Sequence, residues 1–227
     1  MHTAISNRVR IGMLALPLYG VLAVASIVLH GPLPDAARDP QGFAQAVSSA
    51  NFGTAFLITM IGQVVDIFAF LALYGYLAGG RNEGLSFWGM ALSIAGGALF
   101  LAMTGFLAFA APAIGQVYLA GQTQVIAVAV AGFSSGPALG VLSVSGLLGT
   151  IGAILLAIGI WRSGSLPKWS ALLFFLSIPL LAFAPAFSYP LELLGGLLAL
   201  VSGAWIVLGA WRGSPEAAMG AANPARA

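Results

Sequence analysis

The chain has 227 residues, of which 60% are hydrophobic and only 6% are charged, with eight basic and six acidic side chains. A soluble domain carries about 25% charged residues, so this composition excludes a water-facing surface and indicates that lipid is the solvent for most of the chain. No basic patch with interleaved aromatic residues is present, so the sequence gives no electrostatic support for nucleic-acid binding. The absence of cysteine excludes disulfides, thiolate catalysis and iron–sulfur clusters.

Six apolar segments follow one another along the chain, and each is long enough to cross a hydrocarbon core of about 30 Å as a helix. They run near Ile11–Leu29, Ala55–Leu77, Trp88–Ala111, Pro137–Trp161, Trp169–Phe187 and Leu191–Trp211. In lipid every backbone polar group must be satisfied within its own segment, which favours helix. We therefore predict an all-α fold, a polytopic integral membrane six-helix bundle that forms a single domain over residues 1–212. We expect the first segment to span the membrane uncleaved, since it is longer than the core of an ordinary signal peptide.

The connections between these segments differ in character. Gln41–Ala50, after the first segment, predicts a short surface helix. The third connection, Pro112–Gly136, reads as a long loop without charge, and its middle, Gln124–Ala131, is apolar but too short to span. We expect that middle stretch to be re-entrant or to lie at the interface. Residues 213–227 are rich in Ala, Gly and Pro, which predicts a disordered cytoplasmic tail.

The basic residues predict the orientation. Lysine and arginine concentrate in cytoplasmic connections, and with the N-terminus inside, seven basic residues lie on the inner side against one on the outer side. The inner residues are Arg8, Arg10, Arg81, Arg162, Lys168, Arg212 and Arg226, and the outer one is Arg38. We therefore predict that both ends are cytoplasmic. The Ala-, Gly- and Arg-rich composition is typical of a bacterial chain, which makes the expected location the bacterial inner membrane.

The turn Trp161-Arg162-Ser163-Gly164-Ser165-Leu166-Pro167-Lys168-Trp169 resembles the inner loop, W-R-S-G-x-L-P-x-W, of a group of uncharacterised bacterial six-span membrane proteins that share a domain of unknown function. Val117–Ala120 in the third connection and Leu73–Tyr76 at the end of the second segment are also similar to that group. The resemblance implies the six-span architecture and carries no activity with it.

Asp66 is the most informative residue for function. It falls at the centre of the second segment, where a charge costs about 2.5–3.5 kcal/mol on insertion scales, and Gln63 and Thr59 share its helix face. Such a face should point into the bundle or a water-filled cavity, so we predict a ligand or proton site at Asp66, Gln63 and Thr59. A neutral carboxyl that bridges helices is the alternative. The candidate hydrogen-bond partners of the carboxyl are Ser93, Thr104, Ser143, Ser145, Thr150 and Ser202.

Two further polar residues mark the outer side. Glu192 opens the sixth segment just after Pro190, and His30 ends the first segment. Both have ordinary interpretations, as a helix-start signal and an interfacial histidine, and both could instead line the outer mouth of a cavity. A metal site that also uses Asp35 and Asp39 is not enforced by their spacing, and we predict no metal and no cofactor.

The fourth segment carries glycines at three- and four-residue spacing, a pattern that lets helices approach closely. The residues are Gly136, Gly140, Gly146, Gly149 and Gly152. We expect these glycines to pack within the bundle. The alternative is a face for a homodimer or for another membrane subunit.

Three function classes remain. The first is a non-enzymatic bundle that binds or passes a small hydrophobic or protonatable molecule at Asp66 and Gln63, and it requires an internal cavity that reaches them. The second is an accessory or scaffold subunit of a larger membrane complex. The third is a lipid-modifying membrane enzyme that uses His30, Glu192 and the outer loops. The sequence indicates no catalytic residue, and the expected partner is the lipid bilayer.

Overall fold

The structure, a computed structural model, describes residues 7–80, 82–133 and 135–212, and every regular element within those ranges is helical. Residues 213–227, where the sequence predicts a disordered tail, lie outside the described ranges, as does Arg81. The elements in chain order are α1 (Asn7–Met13), α2 (Ala15–His30), α3 (Pro40–Val47), α4 (Ala50–Leu77), α5 (Glu83–Leu119), α6 (Gln124–Phe133), α7 (Gly136–Ser163), α8 (Lys168–Phe183), a 3₁₀ turn (Ala184–Ala186) and α9 (Tyr189–Arg212).

Within the described residues, five helices are long and apolar enough to cross a membrane, namely α1 and α2 together, α4, α5, α7 and α9. The chain is therefore all-helical in these ranges and has the character of a transmembrane protein. The fifth predicted span is shorter than expected, because α8 ends at Phe183 and the 3₁₀ turn follows. At 1.5 Å per residue its 16 residues cover about 24 Å.

The first predicted span is interrupted at Leu14, just before Pro17. Proline has no N–H to donate, and its ring crowds the carbonyl one turn earlier, so the regular hydrogen bond from Pro17 to Met13 cannot form. Backbone hydrogen bonds from Leu14 N to Ile11 O and from Leu18 N to Leu14 O, of 3.0 and 3.3 Å, carry the chain across the break. The chain thus enters the bundle as two short helices rather than as one.

The prediction of a long loop over Pro112–Gly136 is wrong. Helix α5 continues through Pro112 to Leu119, and α6 occupies most of the remaining stretch. The extension persists because α3 packs on it, with Ala44 and Val47 lying directly against Gly115. This apolar contact offsets the one hydrogen bond that Pro112 removes from the helix. The predicted surface helix itself is present as α3, capped by Asp39, whose Oδ1 accepts from Gly42 N at 2.8 Å.

Six helices form a closed ring in which each packs against two neighbours. The order around the ring is α2, α4, α5, α7, α8 and α9, and α9 returns to pack against α2. The contact between α2 and α9 is close, since a Cβ at Gly203 would lie 2.8 Å from the backbone of Leu16. The ring surrounds an interior toward which the polar residues of α4 are turned.

The contact between α5 and α7 depends on glycines from both helices. A Cβ at Gly96 would lie 2.7 Å from the backbone nitrogen of Gly149, and one at Gly89 would lie 2.8 Å from that of Leu156. Gly152 in turn receives the backbone and side chain of Ser93. These distances leave no room for a side chain, so α5 and α7 meet backbone to backbone. Three of the predicted α7 glycines, Gly146, Gly149 and Gly152, therefore pack inside the bundle, while a Cβ at Gly136 or Gly140 would meet nothing within 4 Å.

The described basic residues other than Arg38 gather at one end of the ring, here called the basic end. The start of α1 lies against the end of α4 through Val9 and Gly75, and the end of α9 lies against the α7–α8 connection through Gly209 and Pro167. These contacts bring together Arg8, Arg10, Arg162, Lys168 and Arg212. The last residue of α2 and the first turn of α9 lie at the opposite end.

We expect Gly96→Ala to lower the free energy of unfolding by about 1–3 kcal/mol, because the added methyl group overpacks a backbone contact that cannot move aside. Gly105→Ala is the matched control on the same helix, since nothing lies within 4 Å of its added Cβ. The control should be neutral or slightly stabilising. Denaturant unfolding in mixed micelles measures both variants, and equal stability of the two would contradict the packing described here.

Candidate ligand-binding site

Asp66 faces a small chamber inside the ring, with a volume of about 70 Å³. Helix α4 lines it through Asp66, Gln63 and Phe70, and the remaining lining comes from α2, α5, α7 and α8. Asp66 and Gln63 are each 7% exposed, so the polar face predicted for this helix is turned into the bundle. The ring therefore removes the carboxyl from lipid and places it at a space large enough for about two water molecules, at ~30 Å³ each.

A larger cavity of about 420 Å³, here called the vestibule, adjoins the chamber. It begins at His30 and Glu192, at the end of the ring opposite the basic end, and it reaches Thr59 and Gln63. The two spaces share the lining residues Tyr19, Gln63, Phe100, Leu142, Leu181 and Ala182. The predicted face of α4 thus runs from the vestibule at Thr59 to the chamber at Asp66.

Gln63 stands at the junction of the two spaces. Its side chain lies beside the hydroxyl group of Tyr19 on α2. Its Oε1 atom is turned toward α5, where a Cβ at Gly97 would lie 3.4 Å away. The carbonyl oxygen is therefore an acceptor at the chamber. The sequence analysis did not identify Tyr19, because its position beside Gln63 depends on how α2 packs against α4.

The six hydroxyl groups predicted as partners of Asp66 form no hydrogen bond with its carboxyl in the described ranges. Three of the buried ones are bound to backbone carbonyls of helices. The donations are from Ser145 to Gly96 at 2.8 Å, from Thr104 to Leu101 at 3.0 Å and from Ser202 to Ala199 at 3.1 Å. Ser143 is exposed. The interpretation of Asp66 as a carboxyl that bridges helices through a serine or threonine therefore has no support in the geometry.

Two of the six, Ser93 and Thr150, have hydroxyl groups without a partner among the described residues, and of these two Ser93 lines the same chamber as Asp66. It is 3% exposed, and its Oγ has no hydrogen-bond partner among the described residues. A buried polar group left without a partner costs about 1–3 kcal/mol. The chamber therefore contains an acid and an unpartnered hydroxyl side by side, a combination that favours occupation by a polar group.

Thr59 is engaged by a residue that the sequence analysis missed. Its hydroxyl lies 2.6 Å from that of Ser26 on α2, and Ser26 Oγ also donates to Ala55 O at 2.9 Å. Ser26 is buried. This pair joins α2 to α4 through hydrogen bonds on the vestibule wall, so Thr59 has a structural role besides lining the cavity.

The structure brings His30 and Glu192 together at the mouth of the vestibule. Their Nε2 and Oε1 atoms are 3.5 Å apart, and their side chains are 7% and 13% exposed. His30 Nδ1 lies 2.6 Å from the backbone oxygen of Gly31, so both ring nitrogens face oxygen atoms of the protein. Glu192 is also in the first turn of α9, as the helix-start interpretation expects.

Aromatic rings hold the histidine in place. The His30 ring stacks on Phe56 with a centroid separation of 5.6 Å and meets Tyr189 edge-on at 6.4 Å. Phe56 is itself packed against Phe52 at 4.6 Å. The mouth of the vestibule is thus rigid and flanked by rings, and its one close polar pair is fixed by contacts from α2, α4 and α9.

Asp35 and Asp39 do not join this pair, contrary to the metal-site alternative. Asp39 caps α3, and Asp35 accepts from Ala37 N at 2.9 Å and lies 3.5 Å from Arg38 Nε. Both are exposed in the α2–α3 connection. Across the described residues, no three His, Asp or Glu side chains gather as a metal ion would require.

We expect the His30–Glu192 contact to contribute a coupling energy of about 0.5–2 kcal/mol to stability. A double-mutant cycle of His30→Phe and Glu192→Gln isolates it, because phenylalanine keeps the ring stack on Phe56 and glutamine keeps the shape of the carboxyl. Unfolding free energies of the four proteins give the coupling. The same cycle with Glu83→Gln, at the basic end, is the control and should be additive, and additivity in the His30–Glu192 cycle itself would show that the pair has no energetic role.

In comparisons with protein-family models, with curated proteins and with solved structures, no match to this chain was found. The architecture and the chamber therefore have to support any functional conclusion by themselves, through their geometry and chemistry.

Proposed function

We propose that the protein is a non-enzymatic multi-pass protein of the bacterial inner membrane that binds or passes a small hydrophobic or protonatable molecule. The observation that carries this proposal is the cavity system that leads from His30 and Glu192 to Gln63 and Asp66. An internal cavity that reaches the polar face of α4 is what this function requires and what a purely structural carboxyl would not need.

The proposed topology has six spans and both ends in the cytoplasm. Five helices have the length of a span, and α8, although short, packs between α7 and α9 as a sixth member of the ring. The concentration of described basic residues at one end of the ring supports the cytoplasmic assignment of that end. The mouth of the vestibule then faces the outer side of the membrane.

The free-energy cost of placing Asp66 inside the bundle supports a binding role. An ionisable carboxyl at mid-membrane depth is destabilising unless it is paired, and no basic residue lines the chamber or the vestibule in the described part of the chain apart from His30 at the mouth. An acid that costs stability and has no basic partner is expected where function requires it. Gln63 and Ser93 add polar groups to the same small space.

The lipid-modifying enzyme receives less support from the geometry. His30 and Glu192 do converge, but Nδ1 of the histidine is bound to Gly31 O and Nε2 faces the carboxyl. Both ring nitrogens therefore face groups of the protein itself rather than a nucleophile. The alternative of a subunit in a larger complex is supported by Gly136 and Gly140. Nothing in the chain lies within 4 Å of a Cβ at either position, so a partner helix could pack closely there.

We expect Asp66→Asn to raise the free energy of unfolding by about 1–3 kcal/mol, because it removes an ionisable group that the fold does not pair. Asp35→Asn is the matched control at an exposed position and should change stability by less than about 0.5 kcal/mol. Denaturant unfolding in mixed micelles provides the comparison. A loss of stability in Asp66→Asn would indicate a structural carboxyl and would remove the main energetic argument for a site.

The path into the chamber can be tested with single cysteines, since the natural chain has none. We expect Thr59→Cys and Ser93→Cys to react with aminoethyl methanethiosulfonate added from outside to intact cells, because both side chains line the cavity system. Ser177→Cys is the control, as that side chain is 0% exposed and bonded to Phe174 O. Mass spectrometry of the purified protein measures labelling. If Ser93→Cys is as unreactive as Ser177→Cys, the chamber is closed and the proposed binding function fails.

A further inference from the structure

A third space, which is apolar and larger than the vestibule, lies beside the chamber. This groove, of about 720 Å³, lies between α5, α6 and α7. Its volume falls within the 300–1,000 Å³ typical of small-molecule sites. Of its described lining residues only Ser145 has a polar side chain, and the hydroxyl of Ser145 is already bonded to Gly96 O. The groove thus offers nothing but hydrocarbon contacts.

The groove and the chamber are adjacent. Phe100, Leu142 and Ser145 line both spaces, and Phe100 and Leu142 line the vestibule as well. A molecule that occupies both spaces would pass these shared residues, with one end at Asp66. The three spaces therefore impose a shape on an occupant, namely a small polar head with an apolar tail.

The groove is open toward the surroundings of the ring. Val128 on α6 is 71% exposed and Val141 on α7 is 44% exposed, and both line it. On α6, Ile126 is the buried hydrophobic side chain within the described residues, so this helix lies lightly over the groove. A surface of this composition faces acyl chains in a membrane, which makes lipid the medium from which the groove is filled.

The chamber itself presents acceptors. The Asp66 carboxyl and Gln63 Oε1 are acceptors at a space of about 70 Å³, and Ser93 also lines it. A primary ammonium group has N–H donors and no acceptor, so it matches this site in charge and in hydrogen bonding. The small volume favours an ammonium with its first methylene over a bulkier trimethylammonium group.

We propose that the ligand is a single-chain primary amine, bound with its nitrogen in the chamber and its alkyl chain in the groove. This inference rests on the proposed binding function and specifies its substrate class. The amine and the Asp66 carboxyl hold one proton between them, which forms an ion pair with charge-assisted hydrogen bonds inside the ring. Anionic amphiphiles such as fatty acids are disfavoured, because they would place a second negative charge beside Asp66.

The test uses the full-length protein in phosphatidylcholine nanodiscs, with empty nanodiscs subtracted to remove partitioning into lipid. Four probes separate head from tail: octylamine, 1-octanol, propylamine and octyltrimethylammonium. Isothermal titration should give octylamine an affinity at least tenfold higher than that of each of the other three. Equal binding of 1-octanol, or tighter binding of octyltrimethylammonium, would overturn the assignment of a primary ammonium.

Two variants place the head and the tail. Asp66→Asn should weaken octylamine at least tenfold and leave 1-octanol unchanged, whereas Asp35→Asn, the exposed control, should alter neither. Val141→Trp, which fills the groove, should weaken octylamine at least tenfold and leave propylamine unchanged. If neither Asp66→Asn nor Val141→Trp changes the affinity for octylamine, the proposal is overturned.

The inference and the proposed function fail in different ways. If Ser93→Cys is labelled from outside but octylamine does not bind, the chamber is accessible and the substrate class is wrong. If Ser93→Cys is not labelled and none of the four probes binds, the binding function itself is lost.

Discussion

The close approach of α5 and α7 is the contact on which the rest of the molecule depends. Gly89, Gly96 and Gly152 let the two backbones touch, and this contact draws Ser93 to the wall of the chamber. Beyond Gly96, toward the end that carries the vestibule mouth, bulky side chains such as Phe100, Met103 and Leu142 replace glycine, and the groove opens between the helices. The chamber lies where the tight part of the contact ends. One feature of the sequence, the distribution of glycine along two helices, therefore sets both the narrowness of the polar space and the width of the apolar one.

The interior is graded in polarity. At the mouth His30 and Glu192 lie 3.5 Å apart beside aromatic rings, while one turn beyond Gln63 Asp66 lines the chamber with Ser93, whose hydroxyl has no partner among the described residues. His30 and Glu192 are polar partners for each other, whereas Asp66 and Ser93 form no hydrogen bond with each other in the described structure. This difference matters because a buried polar network that is complete adds rigidity, whereas an incomplete one favours a bound group that completes it.

The sequence predicts the helical class, the positions of the long helices and the inward polar face of α4, because hydropathy and a helical period are local properties. It does not predict that α5 passes through Pro112, since that depends on the cover supplied by α3. It also does not identify Tyr19 or Ser26, whose contacts with Gln63 and Thr59 arise only when α2 meets α4. The serine and threonine partners proposed for Asp66 fail for a related reason. A hydroxyl in a helix has a backbone carbonyl within reach, and Thr104 and Ser202 take that local partner rather than a distant one.

The pairing of α2 with α9 has a consequence for how the protein is made. The ring is closed by its first and last helices, a contact between residues far apart in the chain, so it forms only after α9 has been synthesised and inserted. Until then Asp66 has entered the membrane on α4 without the helices that later surround it. The nascent chain must carry that penalty, of about 2.5–3.5 kcal/mol, through much of its synthesis. The hydropathy of the rest of α4 offsets this penalty, and until the ring closes the acid lacks the helices that later surround it.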